Sequence, residues 1–418
     1  MDGKHGSSLG GRFDLLLYGS VGSRFGDAGR VAAVGLLAAS ITSDPRLTAL
    51  VTVATFLPWV LFGLWAGAVV DRVDARWAFL LSDSARAVLA VGLAVALFAD
   101  RASLWMVLAV VFVMTTLQTV SDSCFVSLLP RVVASPDLPR ANARLSAAQT
   151  GIGQFAGAPA GSALYAAGPA LPFLVDGASF IAAATCVANV RTDPPEDRLA
   201  RRMTPRILWQ DIVEGLRWMY GVRQVGGVCA TTAAMNFAAG GNQAVLALYA
   251  LHVVGSTPAQ FGLFTGVWAV FGVVGALLAG RLSQRVAPIG IATSAVALQS
   301  TGYILLAMAP NLWTALAGMG INGLTAGSWN VSYSSILQTQ SPAVMLGRVG
   351  AAGRTISMCT VPAGAIVAGV VANLWGFRTP AVIAAVCDAV AAMWLVWWLR
   401  KPDRQYATDS AATTERVG

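Results

Sequence analysis

The sequence predicts an all-α polytopic membrane protein with twelve transmembrane helices in two pseudo-symmetric six-helix bundles. Three observations support this fold class: the composition, the distribution of basic residues and a polar segment at mid-chain. Of 418 residues, 56% are hydrophobic and only 11% are charged. Soluble domains average about 25% charged residues, so a soluble fold of this size is excluded. The five cysteines stand in apolar runs without a CxxC pair, which predicts no metal site and no disulfide framework. We also expect no cofactor.

Twelve apolar segments are long enough to cross a bilayer, because a hydrocarbon core of ~30 Å needs about 20 residues of helix. The 43 glycines suit membrane helices, where small residues allow close packing. The predicted spans are 14–39, 46–70, 77–98, 103–126, 146–167, 170–190, 224–251, 259–280, 287–308, 312–336, 347–372 and 378–399.

A charged, proline-rich segment at 191–206 separates the first six spans from the last six. The following segment, 207–221, has the spacing of an amphipathic helix lying at the membrane surface. The predicted organisation is a tail, an N-terminal bundle, a linker, a C-terminal bundle and a second tail, with boundaries 1–12, 13–190, 191–223, 224–399 and 400–418.

Basic residues concentrate on one side of this topology. With both termini cytoplasmic, 21 of the 28 lysines and arginines fall in cytoplasmic segments, three fall outside and four lie within spans. This asymmetry follows the positive-inside rule and explains the net charge of +8 without nucleic-acid binding. We therefore expect a multi-pass protein of the bacterial cytoplasmic membrane, with the lipid bilayer as its partner and no nucleic acid.

The two halves share a short repeat. Arg-x3-Arg follows span 2 at Arg72 and Arg76, and it recurs after span 8 at Arg281 and Arg285. The first copy stands in the sequence Gly67-Ala-Val-Val-Asp71-Arg72-Val-Asp74-Ala-Arg76, which continues to Asp83-Ser-Ala-Arg86. It resembles the signature loop between spans 2 and 3 of the major facilitator superfamily, except that Ala75 replaces the first of two arginines. Parallel six-span repeats are the arrangement of that superfamily.

The resemblance implies a cytoplasmic gate that closes and opens during transport. Its expected residues are Gly67, Asp71, Arg72, Arg76, Asp83 and Arg86, joined by Asp122 of span 4 and Arg354 of span 11. Further short motifs are similar to the drug:proton antiporter branch that includes macrolide-efflux and enterobactin-export proteins. They are Ser23-Arg-Phe-Gly26-Asp27, Leu129-Pro130, Leu138-Pro-Arg-Ala141-Asn142 and Glu214-Gly215-Leu216-Arg217.

Ionisable residues inside a membrane are candidate functional sites. Asp27 lies near the middle of span 1, with Arg24 and Arg30 three residues to either side. Three roles remain open for this group: proton coupling, substrate binding, or a structural ion pair. Two nearby cations oppose protonation of Asp27, and a net positive cluster could instead bind an acidic group of a substrate. Asp176 and Asp388 lie in spans 6 and 12, which are peripheral in the superfamily, so we expect them to pair internally.

Polar and aromatic residues recur in spans 4, 7 and 10, which line the cavity in the superfamily. The cavity candidates are Thr116, Gln118, Asn236, Gln243, Asn322, Trp329, Asn330 and Tyr333. Span 5 carries a ridge of small residues and one proline, for which we expect packing between the bundles against span 8. This ridge consists of Gly153, Gly157, Pro159 and Gly161, and it departs from the antiporter motif because Ala158 separates the glycine from the proline.

The sequence favours a secondary active transporter over an enzyme. No GxxxxGK[ST] or HExxH motif is present, so ATP hydrolysis and zinc-protease chemistry are unsupported. The predicted function is proton-coupled export of a drug-like or natural-product amphiphile by alternating access, by a protein that works as a monomer. The alternative is an importer or facilitator of a small organic nutrient or metabolite.

Overall fold

A computed structural model describes residues 10–70, 73–149, 156–190 and 205–400. Within these ranges the chain is helical apart from short connections, and it has no β-strand. The helices are α1 (Gly11–Ile41), α2 (Pro45–Val70), α3 (Ala75–Phe98), α4 (Leu104–Val132), α5 (Leu138–Ala148), α6 (Ala158–Ala167), α7 (Leu171–Ala188), α8 (Pro205–Gly221), α9 (Arg223–Leu248), α10 (Pro258–Leu282), α11 (Pro288–Met308), α12 (Leu312–Gln340), α13 (Ala343–Trp375) and α14 (Thr379–Leu399).

Several helix ends are fixed by local sequence. The Asp74 carboxylate accepts hydrogen bonds from the backbone N–H groups of Arg76 and Trp77, which caps the start of α3. Ser103 and Asn311 cap α4 and α12 in the same way. At the C-terminal end of α13, Gly376 adopts a φ of 90°, a left-handed conformation that glycine accommodates without strain.

Eight helical segments in the described residues are long and apolar enough to cross a membrane. They are Pro45–Gly63, Ala75–Phe98, Leu104–Val132, Leu171–Ala188, Pro258–Leu282, Pro288–Met308, Thr355–Trp375 and Thr379–Leu399. Each overlaps one of the twelve predicted spans. Three further helices, α1, α9 and α12, have 31, 26 and 29 residues but are more polar. The predicted span 146–167 includes residues outside the described ranges, so a count of twelve stays a prediction.

The chain divides into two compact units. Unit 1 comprises Met1–Ser43, Ala54–Thr204 and Ser256–Gly266, and unit 2 comprises Asp44–Val53, Pro205–Gly255 and Val267–Gly418. The domain boundaries expected from the sequence stay a prediction.

In unit 1, α1 packs on α7, α6 and α4, and α3 packs on α7 and α4. Glycines permit the closest of these approaches: a methyl group on Gly161 of α6 would collide with the backbone of Gly29 in α1. Leu16, Phe79 and Leu128 belong to a buried apolar cluster in this unit. The interior of unit 1 also contains charged residues, which form the candidate site.

In unit 2, α9 packs on α13 and α14, and α11 packs on α12 and α14. The helix α8, at the position of the predicted amphipathic segment, packs on α13 and α9. Gly364 of α13 lies against the backbone of Phe237 in α9, and Gly275 of α10 lies against the backbone of Leu324 in α12. Small residues thus set the helix spacing in this unit as well.

Candidate functional site

Five charged residues from three helices meet in the interior of unit 1. They are Asp27 and Arg30 on α1, Asp83 and Arg86 on α3, and Asp176 on α7. None is more than 7% exposed. We call this group the charged network. Ionised groups in a dry interior are tolerated when they are paired, so the pairing pattern decides what the network can do.

Asp27 joins two helices through its carboxylate. Its Oδ1 accepts a hydrogen bond of 2.9 Å from Nη2 of Arg30, one turn later on α1. The same oxygen accepts a hydrogen bond from Nη2 of Arg86 on α3. The sequence interpretation placed Arg24 and Arg30 on either side of Asp27. The structure keeps Arg30 and replaces Arg24 with Arg86 as the second partner.

Arg86 connects Asp27 to Asp83. Its Nη1 donates to Oδ1 of Asp83 at 3.1 Å, and the hydroxyl of Ser121 on α4 donates to the same oxygen at 2.8 Å. The guanidinium carbon of Arg86 lies 3.9 Å from the centre of the Phe180 ring, in cation–π geometry. The second carboxylate oxygen of Asp83, Oδ2, has no hydrogen-bond partner among the described residues.

Asp176 closes the network on the α7 side. Its Oδ2 lies 3.0 Å from Nε of Arg30, and this contact is an ion pair without hydrogen-bond alignment. The approach depends on Gly26, because a side chain there would meet Asp176 and Ser179. Small residues on α1 therefore bring a carboxylate of α7 to an arginine of α1 inside the bundle.

The network contains three carboxylates and two guanidinium groups. With all five groups ionised, it carries a net charge of −1 in a buried environment. One bound proton would make it neutral, which removes the cost of an unbalanced buried charge. The geometry therefore provides a place for one proton shared among coupled acids.

A separate ion pair lies beside the network. Arg24 of α1 bonds to Asp122 of α4, with side chains 33% and 24% exposed. This pair is neutral as a unit and does not change the charge of the network. Its side chains are more exposed to solvent than those of the charged network.

The gate candidates that the structure describes lie in different places. Asp83 and Arg86 lie in the buried network with Asp27, and Asp122 pairs with Arg24. Arg76 is half-buried, and its guanidinium donates to the backbone carbonyl of Ala188 at the end of α7. Gly67 lies within α2. Asp71, Arg72 and the side chain of Arg354 lie outside the described residues, so their roles stay predictions.

The predicted ridge on span 5 packs closely where it is described. Gly157 and Gly161 lie against the backbone of α1, next to Phe25 and Gly29 respectively. Pro159 lies against Gly262 and Gly266 of α10, within unit 1. Gly153 lies outside the described residues. The small residues thus allow α6 to contact two helices at once.

The cavity candidates differ in exposure. In unit 1, Thr116 and Gln118 are half-buried on α4, and the Thr116 hydroxyl donates to the carbonyl of Phe112. In unit 2, the indole Nε1 of Trp329 donates to Oγ1 of Thr232 on α9 at 3.2 Å, and Tyr333 lies near Cys229. Of the others, Asn322 is buried, Asn236 is half-buried, and Gln243 and Asn330 are exposed.

The sequence interpretation did not include Asp176 or Ser121 in the site. A charge comparison could have identified Asp176: predicted span 6 contains this carboxylate and no basic residue, so its partner must come from another helix. Ser121 gives no comparable signal, because a serine in an apolar segment is common and its partner is set by helix packing alone.

A family model described as transmembrane secretion effector, of the major facilitator superfamily, matches residues 11–415. The chain belongs to this family. No curated protein sequence matches it significantly. The protein is therefore a multi-pass membrane transporter of the major facilitator type. Family and similar structures are transporters, in agreement with the prediction that the protein is not an enzyme.

Solved structures of several transporters share the fold. The nucleoside transporter NupG is similar with a TM-score of 0.72 and 12% identity, over 94% of this chain and 100% of that chain. A bacterial homolog of the human lysosomal transporter Spinster, inward-facing and occupied, has a TM-score of 0.74 and 14% identity, covering 93% and 96%. A bacterial homologue of the iron transporter ferroportin has a TM-score of 0.68 and 17% identity, covering 93% and 99%.

These similarities establish the fold of a major facilitator transporter and no more than that. The similar structures are named for different substrates, so they do not select the drug:proton antiporter branch that the short motifs resemble. The branch, the substrate and the direction of transport therefore rest on the residues of this chain.

Proposed function

We propose that this protein exports an amphiphilic organic molecule from the bacterial cytoplasm in exchange for protons. The observation that carries the proposal is the charged network, where three buried carboxylates face two arginines. A transporter that uses the proton gradient needs a buried group that binds and releases a proton. A network one positive charge short of neutrality has this property.

Two further observations support export over import. The matching family is described as secretion effectors, which names outward movement. The short motifs around Asp27, Asn142 and Glu214 are similar to those of efflux proteins. No ATP-binding loop of the form GxxxxGK[ST] occurs in the chain, so the proton gradient is the driving force that we assign.

The substrate class follows from the mixed character of the cavity candidates. In unit 2, the candidates Trp329 and Tyr333 are aromatic, and Asn236 carries a hydrogen-bonding amide. Sites of this composition bind drug-sized molecules with apolar bodies and a few polar groups. In this proposal, transport follows alternating access, and Asp71, Arg72 and Arg76 act at the cytoplasmic gate.

The test is transport into inside-out vesicles from a bacterium that lacks its main efflux systems. The panel contains macrolides, tetracyclines, cationic dyes and phenolic siderophores, and a protonophore collapses the gradient in parallel samples. We expect accumulation of at least one compound, abolished by the protonophore. Accumulation only in right-side-out vesicles would overturn export in favour of the importer alternative.

Asp27→Asn tests the role of the network in the same assay. Because the substitution removes one carboxylate, the network becomes neutral without a proton, and we expect gradient-driven accumulation to fall at least tenfold while downhill exchange continues. Asp44→Asn is the matched control, since it also removes an ion-paired carboxylate, but one that lies at the start of α2 and bonds to Arg46 instead of to the network. Full coupling in Asp27→Asn would show that the network does not carry the coupled proton.

A further inference from the structure

A second buried carboxylate lies in unit 2, apart from the charged network. Asp388 is at mid-length in α14, which packs on α11, and it is 0% exposed. Neither of its carboxyl oxygens has a hydrogen bond of normal geometry among the described residues. Such a group is rare in a folded protein, because an unpaired carboxylate in a dry interior loses its hydration and gains nothing in return.

The neighbours of Asp388 are polar but carry no positive charge. The side-chain amide of Gln299 on α11 faces the carboxyl group, and the phenol of Tyr303 lies one turn further along the same helix. The hydroxyl of Thr325 on α12 lies 3.4 Å from Oε1 of Gln299. These side chains form a short polar chain from α12 through α11 to α14.

The titratable groups around Asp388 in the described chain are Tyr303 on α11 and Cys387 on its own helix. The α9 side contributes the carbonyl of Ala234 to the Cys387 thiol, and no charged group of α9 or of the described part of α13 acts on Asp388. No described arginine or lysine forms a salt bridge with it.

Comparison with unit 1 shows which kind of partner Asp388 lacks among the described residues, namely a positively charged side chain. There, Asp176 on α7 meets Arg30, and α7 packs on α3, which carries Arg86. In unit 2 the corresponding pair is the sixth helix of the second half, α14, packed on its third helix, α11. Near Asp388, α11 supplies an amide and a phenol, whereas the unit 1 network takes its guanidinium groups from Arg30 of α1 and Arg86 of α3.

We propose that Asp388 is a proton-binding site, with the proton taking the place that arginines occupy in unit 1. The neutral carboxylic acid donates a hydrogen bond, and the carboxamide oxygen of Gln299 or the phenol oxygen of Tyr303 accepts it. A neutral acid fits a site without a cation, whereas an ionised carboxylate does not. This site is separate from the charged network and shares no residue with it.

The consequence for transport rests on the proposed function. If the protein exchanges protons for substrate, Asp388 provides a second proton site, and the number of protons moved per substrate rises by one. Asp388→Asn keeps the shape and hydrogen-bonding capacity of the side chain but cannot ionise. The variant is therefore expected to preserve transport while lowering the proton-to-substrate ratio, measured from the reversal of flux against an imposed pH gradient.

The deciding experiment is infrared spectroscopy of the full-length protein in lipid nanodiscs, which needs no substrate. At neutral pH, we expect a carbonyl-stretch band from a protonated carboxylic acid that shifts in D₂O and is lost in Asp388→Asn. Asp176→Asn is the control, since any band from the charged network changes in that variant and the Asp388 band does not. The infrared band tests protonation of Asp388 and does not depend on transport. A failure to observe export in vesicles would therefore contradict the proposed function without contradicting the Asp388 assignment.

Three outcomes overturn the assignment. If wild type and Asp388→Asn have identical carbonyl-stretch bands at neutral and at acid pH, Asp388 does not bind a proton in this range and the assignment is wrong. Loss of the band when NaCl replaces choline chloride at constant pH would assign a sodium ion instead of a proton. If Asp388→Asn does not fold, Asp388→Glu serves instead: a band at an unchanged position in that variant would exclude Asp388 as its source.

Discussion

Arg86 on α3 forms an ion pair with Asp27 on α1, although 59 residues separate them in the sequence. The guanidinium also bonds to Asp83 and stacks on Phe180, so one buried side chain connects three helices of unit 1. The gate role that the family resemblance implies for Arg86 stays a prediction. In the structure, Arg86 supplies one of the two buried guanidinium groups of the network.

We expect Arg86→Gln to destabilise the protein strongly, because it leaves Asp27 and Asp83 without their shared cation. Breaking one partner of a buried ion pair typically costs about 3–5 kcal/mol. The double variant Arg86→Gln/Asp27→Asn removes one of the orphaned carboxylates, so part of the stability should return. The measurement is thermal unfolding of purified protein in detergent, analysed as a double-mutant cycle. Simple additivity of the two single variants would contradict the pairing.

Gly161→Ala should lower stability by about 1–3 kcal/mol, the range for overpacking a close contact. The added methyl group meets the backbone of Gly29, which cannot turn aside as a flexible side chain would. Gly22→Ala in α1 is the matched control, since nothing lies within 4 Å of a methyl group there. We expect no loss in the control, because Ala has the higher helix propensity. Equal melting temperatures for both variants would refute the close α1–α6 packing.

Trp329→Phe should reduce stability by about 1 kcal/mol, the net value of a typical hydrogen bond, because it removes the donor to Thr232. Thr232→Val removes the acceptor and leaves a buried indole N–H unpaired, so it should cost at least as much. If Trp329 also contacts the substrate, Trp329→Phe raises the KM for export while Thr232→Val leaves it nearer the wild-type value. Unfolding curves and transport kinetics of the two variants distinguish packing from binding.

The Asp44–Arg46 pair predicts a small and specific pH dependence. Hydrogen bonds from Arg46 lower the pKa of the Asp44 carboxyl below its usual value. The stabilisation is therefore present above the ordinary carboxyl pKa and is lost as the pH falls through the lowered one. Because the pair is exposed, Asp44→Asn at pH 7 should change stability by under about 1 kcal/mol. The measurement is the stability of wild type and Asp44→Asn at pH 7 and at pH 3. We expect the variant to lose more stability relative to wild type at pH 7 than at pH 3.

Much of the fold can be predicted from local sequence, because membrane helices must satisfy their own backbone hydrogen bonds and expose apolar side chains to lipid. Eight predicted spans correspond to helices long and apolar enough to cross a membrane. The start of α3 at Asp74 and the end of α13 at Gly376 follow from capping chemistry. Helices α1, α9 and α12 are less clear by hydropathy because polar residues serve packing and the site.

The sequence by itself determined the membrane environment, the family resemblance and the clustering of Arg24, Asp27 and Arg30 on α1, because these depend on composition or on residues one helical turn apart. The tertiary structure decided that Arg86, Asp83 and Asp176 join Asp27, that Arg24 turns to Asp122, and that Asp388 meets Gln299 without a cation. These contacts depend on how each helix is rotated about its axis and on which helices pack beside it. Charges separated by 59 or more residues carry no local signal of their partners, because the packing of small residues brings them together.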